Sequence, residues 1–207
     1  MRYTGPKARR VRRQGINIYG SEKYDKILSR KPYAPGMQAA ARTGKGKISE
    51  YGKQLLEKQK ACYTYGIQDR MLRGIYKEAS RTVGQTDAMM HTSLERRLDS
   101  TLYRAGFANT RMQARQFISH GLFTVNGKRV TIASHRVEVG DKIKVRDNRK
   151  GSPVFAPILA AHERYTAPDW LSVDKATISI EIKALPVEEK HFDQAIDMRK
   201  VIGFYSR

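Results

Sequence analysis

Hydrophobic and polar positions alternate with two distinct periods across the middle of the chain. In SLERRLDSTLYRAG, Leu94, Leu98, Leu102 and Ala105 recur at helical spacing and form one apolar stripe, which Gly106 stops. Arg97, Thr101 and Arg104 fall on the neighbouring stripe. A second helix opens at Thr110-Arg-Met-Gln113. This reads as a capping box in which Thr110 and Gln113 satisfy each other's backbone donors. Met112, Ala114, Phe117 and Ile118 face inward, Arg111, Arg115 and Ser119 share an outer face, and Gly121 ends the helix. From residue 122 the period drops to two, through LFTV, the turn Asn126-Gly127, KRV, RVEV, a Gly-Asp turn and KIKV. Asn-Gly between extended runs is a hairpin signal, because a primed turn needs positive φ at both central residues. Ile143 and Val145 point one way, and Lys142, Lys144 and Arg146 the other. The pattern predicts two helices on a small antiparallel sheet over 93–150.

The flanks are less regular. Residues 48–92 predict a helical domain: a helix starting at Ser49, a break at Gly66, and a second helix over Gln68 to Ala79 with Met71, Leu72, Ile75, Tyr76 and Ala79 on one face. VGQTDAMMHT reads as a connection. PVFAPILAAHER predicts a linking helix within 151–164. In 165–207, PDWLSVDK holds the lone Trp, ATISIEIKA reads as a strand, and FDQAIDMRKVIGFYSR as a helix or turn running into a strand at VIGFY. This segment is expected to pack on the helical domain. Residues 1–47 form a basic arm rich in Gly, Pro and cations. Ile16, Ile18, Tyr19, Tyr24, Ile27, Leu28 and Tyr33 are interspersed there and can anchor it, at least once a partner orders it. The fold class is α+β.

Charge changes the picture from architecture to partner. The 207 residues carry 40 Lys and Arg against 20 Asp and Glu, a net charge of +20 and a pI near 10.2. Such an excess makes a polyanion the default partner. It is concentrated in the first three quarters of the chain, whereas residues 164–207 balance acids against bases. The single cysteine, Cys62, forms no disulfide within the chain, fits a reducing compartment and reads as an idle thiol. No apolar run is long enough for a membrane span, and the N-terminus lacks the apolar core of a signal peptide. The cations sit on loops, short helices and turns, which ranks a membrane surface last. No Gly-rich phosphate loop, HExxH or Ser/His/Asp pattern appears, and the five histidines have no metal spacing. The expectation is a non-enzyme that binds nucleic acid without cofactor or metal.

Within 93–150 the candidate contacts are Arg97, Arg104, Arg111, Gln113, Arg115, Gln116, Ser119 and His120 on the helices, with Asn126, Gly127, Lys128 and Arg129 at the hairpin tip. Arginine forks two phosphate oxygens and stacks on bases. If the helices pack on the sheet, these groups converge on one concave surface suited to a folded phosphate backbone. Arg9, Arg10, Arg12 and Arg13 in the arm, and Lys53 and Lys58 in the helical domain, complete the set.

The stretch LERRLDSTLYRAGFANTRMQARQFISHGLFTVNGKRVTIASHRVEVGDKIKVRD resembles the S-four RNA-binding domain, the αL fold. RYTGPKARRVRRQG, ISEYGKQLLEKQKACYTYGI, YKEASR, PDWLSVD and the ending FYSR extend the resemblance over essentially the whole chain, to the S-four family of small-subunit ribosomal proteins. It implies a cytoplasmic structural constituent of the small ribosomal subunit. Such a protein binds ribosomal RNA early, at a helical junction of the 5′ domain, and nucleates assembly of the subunit body. The resemblance also implies a part in translational accuracy and a place at the messenger entry, with Arg42, Lys45 and Lys47 as the matching basic segment. The implied neighbours are proteins S-five, S-three and S-twelve. One form of the family binds zinc through four cysteines in the arm. The aligned positions here are Ala8, Val11, Ser21 and Lys26, so the chain resembles the zinc-free form. Where the family carries Gln-His-Gly, this chain has Met37-Gln38-Ala39 and a short insertion before Lys47. The rival is a pseudouridine synthase, whose catalytic motif includes Arg-Leu-Asp. Arg97-Leu98-Asp99 matches those letters, but Leu98 belongs to the core stripe, Asp99 reads as a solvated helix residue, and the chain after 147 is too short for that catalytic domain.

Overall fold

The computed structural model describes residues 3, 5–36, 48–162, 165–175, 177–187 and 189–207. The fold is α+β, and its contacts divide it into two units, Met1–Met90 with Gln194–Arg207, and His91–Asp193.

The first unit begins with two short helices. α1 (Ala8–Gln14) ends on Gly15, whose left-handed φ of 72° turns the chain toward α2 (Glu22–Arg30). Val11, Ile18 and Tyr24 form a small buried cluster, with Ile16, Tyr19, Ile27, Leu28 and Tyr63 packed against it. The apolar residues scattered through the basic arm therefore give its described part a core of its own. α3 (Glu50–Thr64) starts where expected: the Ser49 hydroxyl accepts from the Gly52 amide at 3.2 Å. The chain breaks at Gly66, φ 60°. α4 (Asp69–Ala79) buries Leu72, Ile75 and Ala79, while Met71, expected on that face, is exposed.

The segment read as a connection is instead helical. α5 (Thr86–Glu95) begins at Thr86 and carries Met90 and Leu94 at 0% exposure. Its apolar residues, Ala88, Met89, Met90 and Leu94, are interrupted by Thr, His and Ser, so no strong stripe announces it. The helix expected from 93 onward is consequently two helices. Arg97 is extended and bridges to Arg136, and α6 (Leu98–Arg104) starts after it. The leucine stripe survives the break, with Leu94 on α5 and Leu98 and Leu102 on α6.

In the second unit, α6 and α7 (Arg111–Ser119) pack on a five-stranded sheet. The strands are β1 (Phe123–Val125), β2 (Lys128–Arg129), β3 (Lys142–Val145), β4 (Leu171–Asp174) and β5 (Ser179–Ile182), in the order β2-β1-β3-β5-β4, all antiparallel. α8 (Ala156–His162) follows the 3₁₀ turn after β3; its Ile158, with Phe155 just before it, joins the core.

Residues 165–207 do not go as one piece to the helical domain. Ile180 and Ile182 alternate with polar neighbours, and Ile180 pairs with Ile143 of β3, which puts both on the buried face. Trp170 is buried in the same core. Only 194–207 join the first unit. There VIGFY is not a strand but the end of α9 (Met198–Tyr205). Asp197 caps that helix by accepting from the Lys200 amide at 3.2 Å, and Met198 and Val201 bury one face against α3. Capping chemistry and helical spacing override the β-branched pair Val201-Ile202.

Candidate nucleic-acid interface

The arginines expected on one helix face have two different roles. Arg97 is 3% exposed and grips Asp99 with two bonds, Nε at 3.0 Å and Nη2 at 2.9 Å. Asp99 is buried rather than solvated. Glu95, fully buried, accepts from Arg104 through Nε at 3.0 Å and Nη2 at 2.8 Å, and from Arg111 Nη2 at 3.1 Å. Arg111 also reaches Asp193 at 3.3 Å and lies over the Tyr103 ring. A carboxylate with no water needs such partners. These three arginines are thereby engaged in holding α5, α6 and α7 together. Arg115 lies 3.9 Å from Asp99 with about a quarter of its side chain exposed.

The rest of the expected set is outward-facing. Gln116, Ser119 and His120 at the end of α7 are exposed, as are Asn126, Gly127, Lys128 and Arg129 on the hairpin. The capping box is rearranged: Thr110 Oγ1 accepts from Gln113 N at 3.2 Å, but the Gln113 side chain accepts from Asn109 N at 2.8 Å, not from Thr110. The hairpin tip is rigid. Asn126, at φ 50°, donates to Asp141 at 2.7 Å and accepts from the Lys142 amide at 2.9 Å, which ties the two turns of the sheet together.

Gly121 is the junction between helix and hairpin. It has φ 67°, and a Cβ there would overlap the Arg129 guanidinium, so Arg129 lies directly across the end of α7. Arg146 Nη1 approaches the Gly121 carbonyl at 3.5 Å. Register puts Arg129 opposite Thr124, and Thr124 opposite Lys144, so all three share the open face of the sheet. Lys144, exposed, and Arg146, half-buried, are cations at this junction that the candidate set omitted, although the alternation in KIKVR already separated them from the buried Ile143 and Val145. Lys128, Arg129 and Lys144 have no ion-pair partner among the described residues.

In the first unit the basic helix α1 is also sorted. The Arg10 guanidinium lies 3.5 Å from the Tyr3 ring centre and 4.1 Å from that of Tyr63. Arg12 donates to the Tyr33 carbonyl at 3.1 Å. Arg9 and Arg13 are exposed. Lys53 pairs with exposed Glu50, and Lys58 holds Asp69 at 2.8 Å. Val11, one of the positions aligned to zinc-binding cysteines, is the centre of the apolar cluster. Among the described residues no group of three or more His, Cys, Asp or Glu side chains could hold a metal ion. Arg42, Lys45 and Lys47 lie outside the described residues. Burial first, and Asp69 second, push the Cys62 thiol up to about 11, so it is protonated at neutral pH.

Residues 2–95 match the family model described as the Ribosomal protein S4/S9 N-terminal domain, and residues 96–143 match the S4 domain. The small ribosomal subunit protein uS4 of Roseiflexus sp. (strain RS-1) is 42% identical over 208 aligned residues, covering 100% of this chain and 99% of that protein. The chain belongs to the uS4 family. The uS4 protein of Treponema denticola is 43% identical, covering 98% of this chain and 97% of its own length, and that of Borreliella burgdorferi (strain ZS7) is 40% identical, covering 97% and 96%. The boundary between the two family models, at 95/96, falls at the end of α5, where Glu95 and Arg97 anchor the buried ion pairs.

Proposed function

We propose that the protein is a structural constituent of the small ribosomal subunit that binds ribosomal RNA and catalyses nothing. The observation that carries this is the sorting of charge in the second unit. Buried carboxylates hold Arg97, Arg104 and Arg111, while Arg129 and Lys144 stand on the open face of the sheet beside the exposed end of α7 and Lys128 is exposed at the hairpin tip. Fixed cations on a rigid hairpin match a folded phosphate backbone by position and charge, which is how RNA is read by shape. The uS4 relatives are named as small-subunit proteins, which supports the same assignment. The RNA target is a helical junction of the 5′ domain, and occupying it early nucleates assembly of the subunit body. Arg42, Lys45 and Lys47 add contacts at the messenger entry, with an effect on accuracy shared with the neighbouring proteins S-five, S-three and S-twelve.

Binding to an isolated 5′-domain transcript tests the first part. Affinity for that transcript is to exceed affinity for an unrelated RNA of equal length, and equal affinity for both overturns it. Replacing Arg42, Lys45 and Lys47 with Ala tests the second. An entry role leaves subunit assembly normal and impairs initiation on structured messengers. An assembly defect, or equal performance on structured and unstructured messengers, removes it.

A further inference from the structure

The hairpin tip carries a reactive dipeptide as well as cations. Asn17, Asn109 and Asn148 are followed by Ile18, Thr110 and Arg149, whereas Asn126 is followed by Gly127. A backbone amide nitrogen can close on the carboxamide carbon of the asparagine before it and form a succinimide ring. A side chain on the attacking residue crowds that approach, and glycine removes the crowding. Asn126 and Gly127 are both exposed, and a Cβ on Gly127 would meet nothing within 4 Å. The Gly127 amide has no hydrogen-bond partner among the described residues, so the attacking nitrogen is unobstructed.

The carboxamide it would attack is restrained instead. Asn126 Nδ2 donates to Asp141 Oδ1 at 2.7 Å, and Asn126 Oδ1 accepts from Lys142 N at 2.9 Å. Backbone bonds fix both anchors: Asn126 N donates to Lys142 O at 2.9 Å, and Asp141 Oδ2 accepts from Glu138 N at 2.8 Å. Both ends of the carboxamide are therefore bonded across to the neighbouring turn of the sheet. The carbon between them meets the Gly127 nitrogen only after the side chain lets go of those bonds, and the NH2 group that must leave is the one Asp141 holds. The nucleophile is free and the electrophile is held.

We propose that Asn126-Gly127 is a site of spontaneous deamidation gated by the hairpin, closed while Asp141 and Lys142 hold the carboxamide and open when the hairpin releases it. In the reaction the Gly127 nitrogen bonds to Asn126 Cγ and the Cγ–Nδ2 bond breaks. The Gly127 N–H proton passes through water to the departing NH2, which leaves as ammonia. Water then opens the ring at one carbonyl or the other, giving aspartate or isoaspartate. Aspartate sets a carboxylate oxygen where Nδ2 stood, against Asp141 Oδ1 and of like charge. Isoaspartate lengthens the backbone by a methylene between Val125 and Lys128, which disturbs the pairing of Val125 with Lys128 and of Thr124 with Arg129. Either product displaces the hairpin cations irreversibly. That consequence for binding rests on the ribosomal RNA reading above; the chemistry and its gate do not.

The test incubates the full-length protein at mildly alkaline pH, native and in urea, and follows the peptide containing Asn126 by mass and by chromatography that resolves isoaspartate. Deamidation at Asn126 is expected to be at least about tenfold slower in the native protein than in urea, a factor that a small free energy of local opening supplies. Asn148, exposed but followed by Arg149, is to stay unmodified over the same period. Asp141→Ala removes the acceptor of Nδ2 and is expected to speed the native reaction severalfold while leaving the rate in urea unchanged. Asp141→Asn keeps an acceptor oxygen and is to retain the slow native rate. Equal native and urea rates in wild type, a native rate that Asp141→Ala does not raise, or one that Asp141→Asn raises as much, overturns the gate. Binding of a 5′-domain transcript reads the consequence separately. Wild-type affinity above that for an unrelated RNA establishes the underlying reading, and Asn126→Asp is then to weaken binding severalfold. Wild-type affinity in Asn126→Asp overturns the effect on binding.

Discussion

Two buried carboxylates, Glu95 and Asp99, decide what the neighbouring arginines do. Removing Glu95 leaves two guanidiniums without their shared partner, so Glu95→Ala is expected to cost about 3 kcal/mol in urea unfolding, the low end for breaking a buried pair because Arg104 is partly exposed. Lys53→Gln, which loses only an exposed pair with Glu50, is to change stability by less than about 0.5 kcal/mol. A Glu95→Ala cost as small as that of Lys53→Gln contradicts the assigned roles. At Gly121 the conflict is steric as well as conformational: Gly121→Ala strains a φ of 67° and expels Arg129. It is expected to cost at least about 1 kcal/mol and to weaken RNA binding in parallel with Arg129→Gln. Cys62 supplies a pH test. Because burial raises the thiol from its ordinary 9.0 to about 11, the folded state holds the proton more tightly than the unfolded state. Its stabilising preference is complete below pH 9 and lost as pH rises toward 11. The stability of wild type relative to Cys62→Ala is therefore to fall across that window, and a thiol reagent at pH 8 is to label only unfolded protein.

At the scale of elements, the helix-hairpin segment was legible because its two periods differ sharply and its stops are glycines. The leucine stripe, the Asn126-Gly127 turn and the alternation in KIKV all appear where the pattern put them. The partners of the arginines were not legible, since Asp193 is 82 residues from Arg111 and no local period announces it. α5 escaped because its buried residues, Met90, His91, Leu94 and Glu95, mix apolar with polar side chains. The path of the C-terminal strands escaped because alternation shows which face of a strand is buried but not which sheet takes it. α9 gives an element-scale test. Tyr205 donates to Asp69 at 2.9 Å and stacks on Tyr76, while Lys58 holds the same carboxylate. Burial works to raise the Asp69 pKa, but the bonds from Lys58 and Tyr205 outweigh it and leave the carboxyl below the usual range. The contribution is present above the ordinary carboxylate pKa and lost as pH falls below it. Tyr205→Phe is expected to destabilise the protein by roughly 0.5 kcal/mol at pH 7, with a smaller difference below pH 3. A difference independent of pH contradicts the assigned bond.

For the whole molecule, a net charge of +20 guarantees attraction to any polyanion, so affinity alone says little about how RNA is held. The proposed interface is more specific: phosphate is expected to meet the exposed cations of the hairpin tip and the open sheet face, and not those gripped by Glu95 and Asp99. The direct measurement is the slope of log affinity against log salt for the 5′-domain transcript, in wild type and in a Lys128→Gln, Arg129→Gln, Lys144→Gln variant. The account predicts a steep wild-type slope that the triple variant reduces by roughly 2–3, while Arg104→Gln leaves the slope unchanged and lowers only stability. A nearly flat wild-type slope, or one that Arg104→Gln reduces and the triple variant does not, would contradict it.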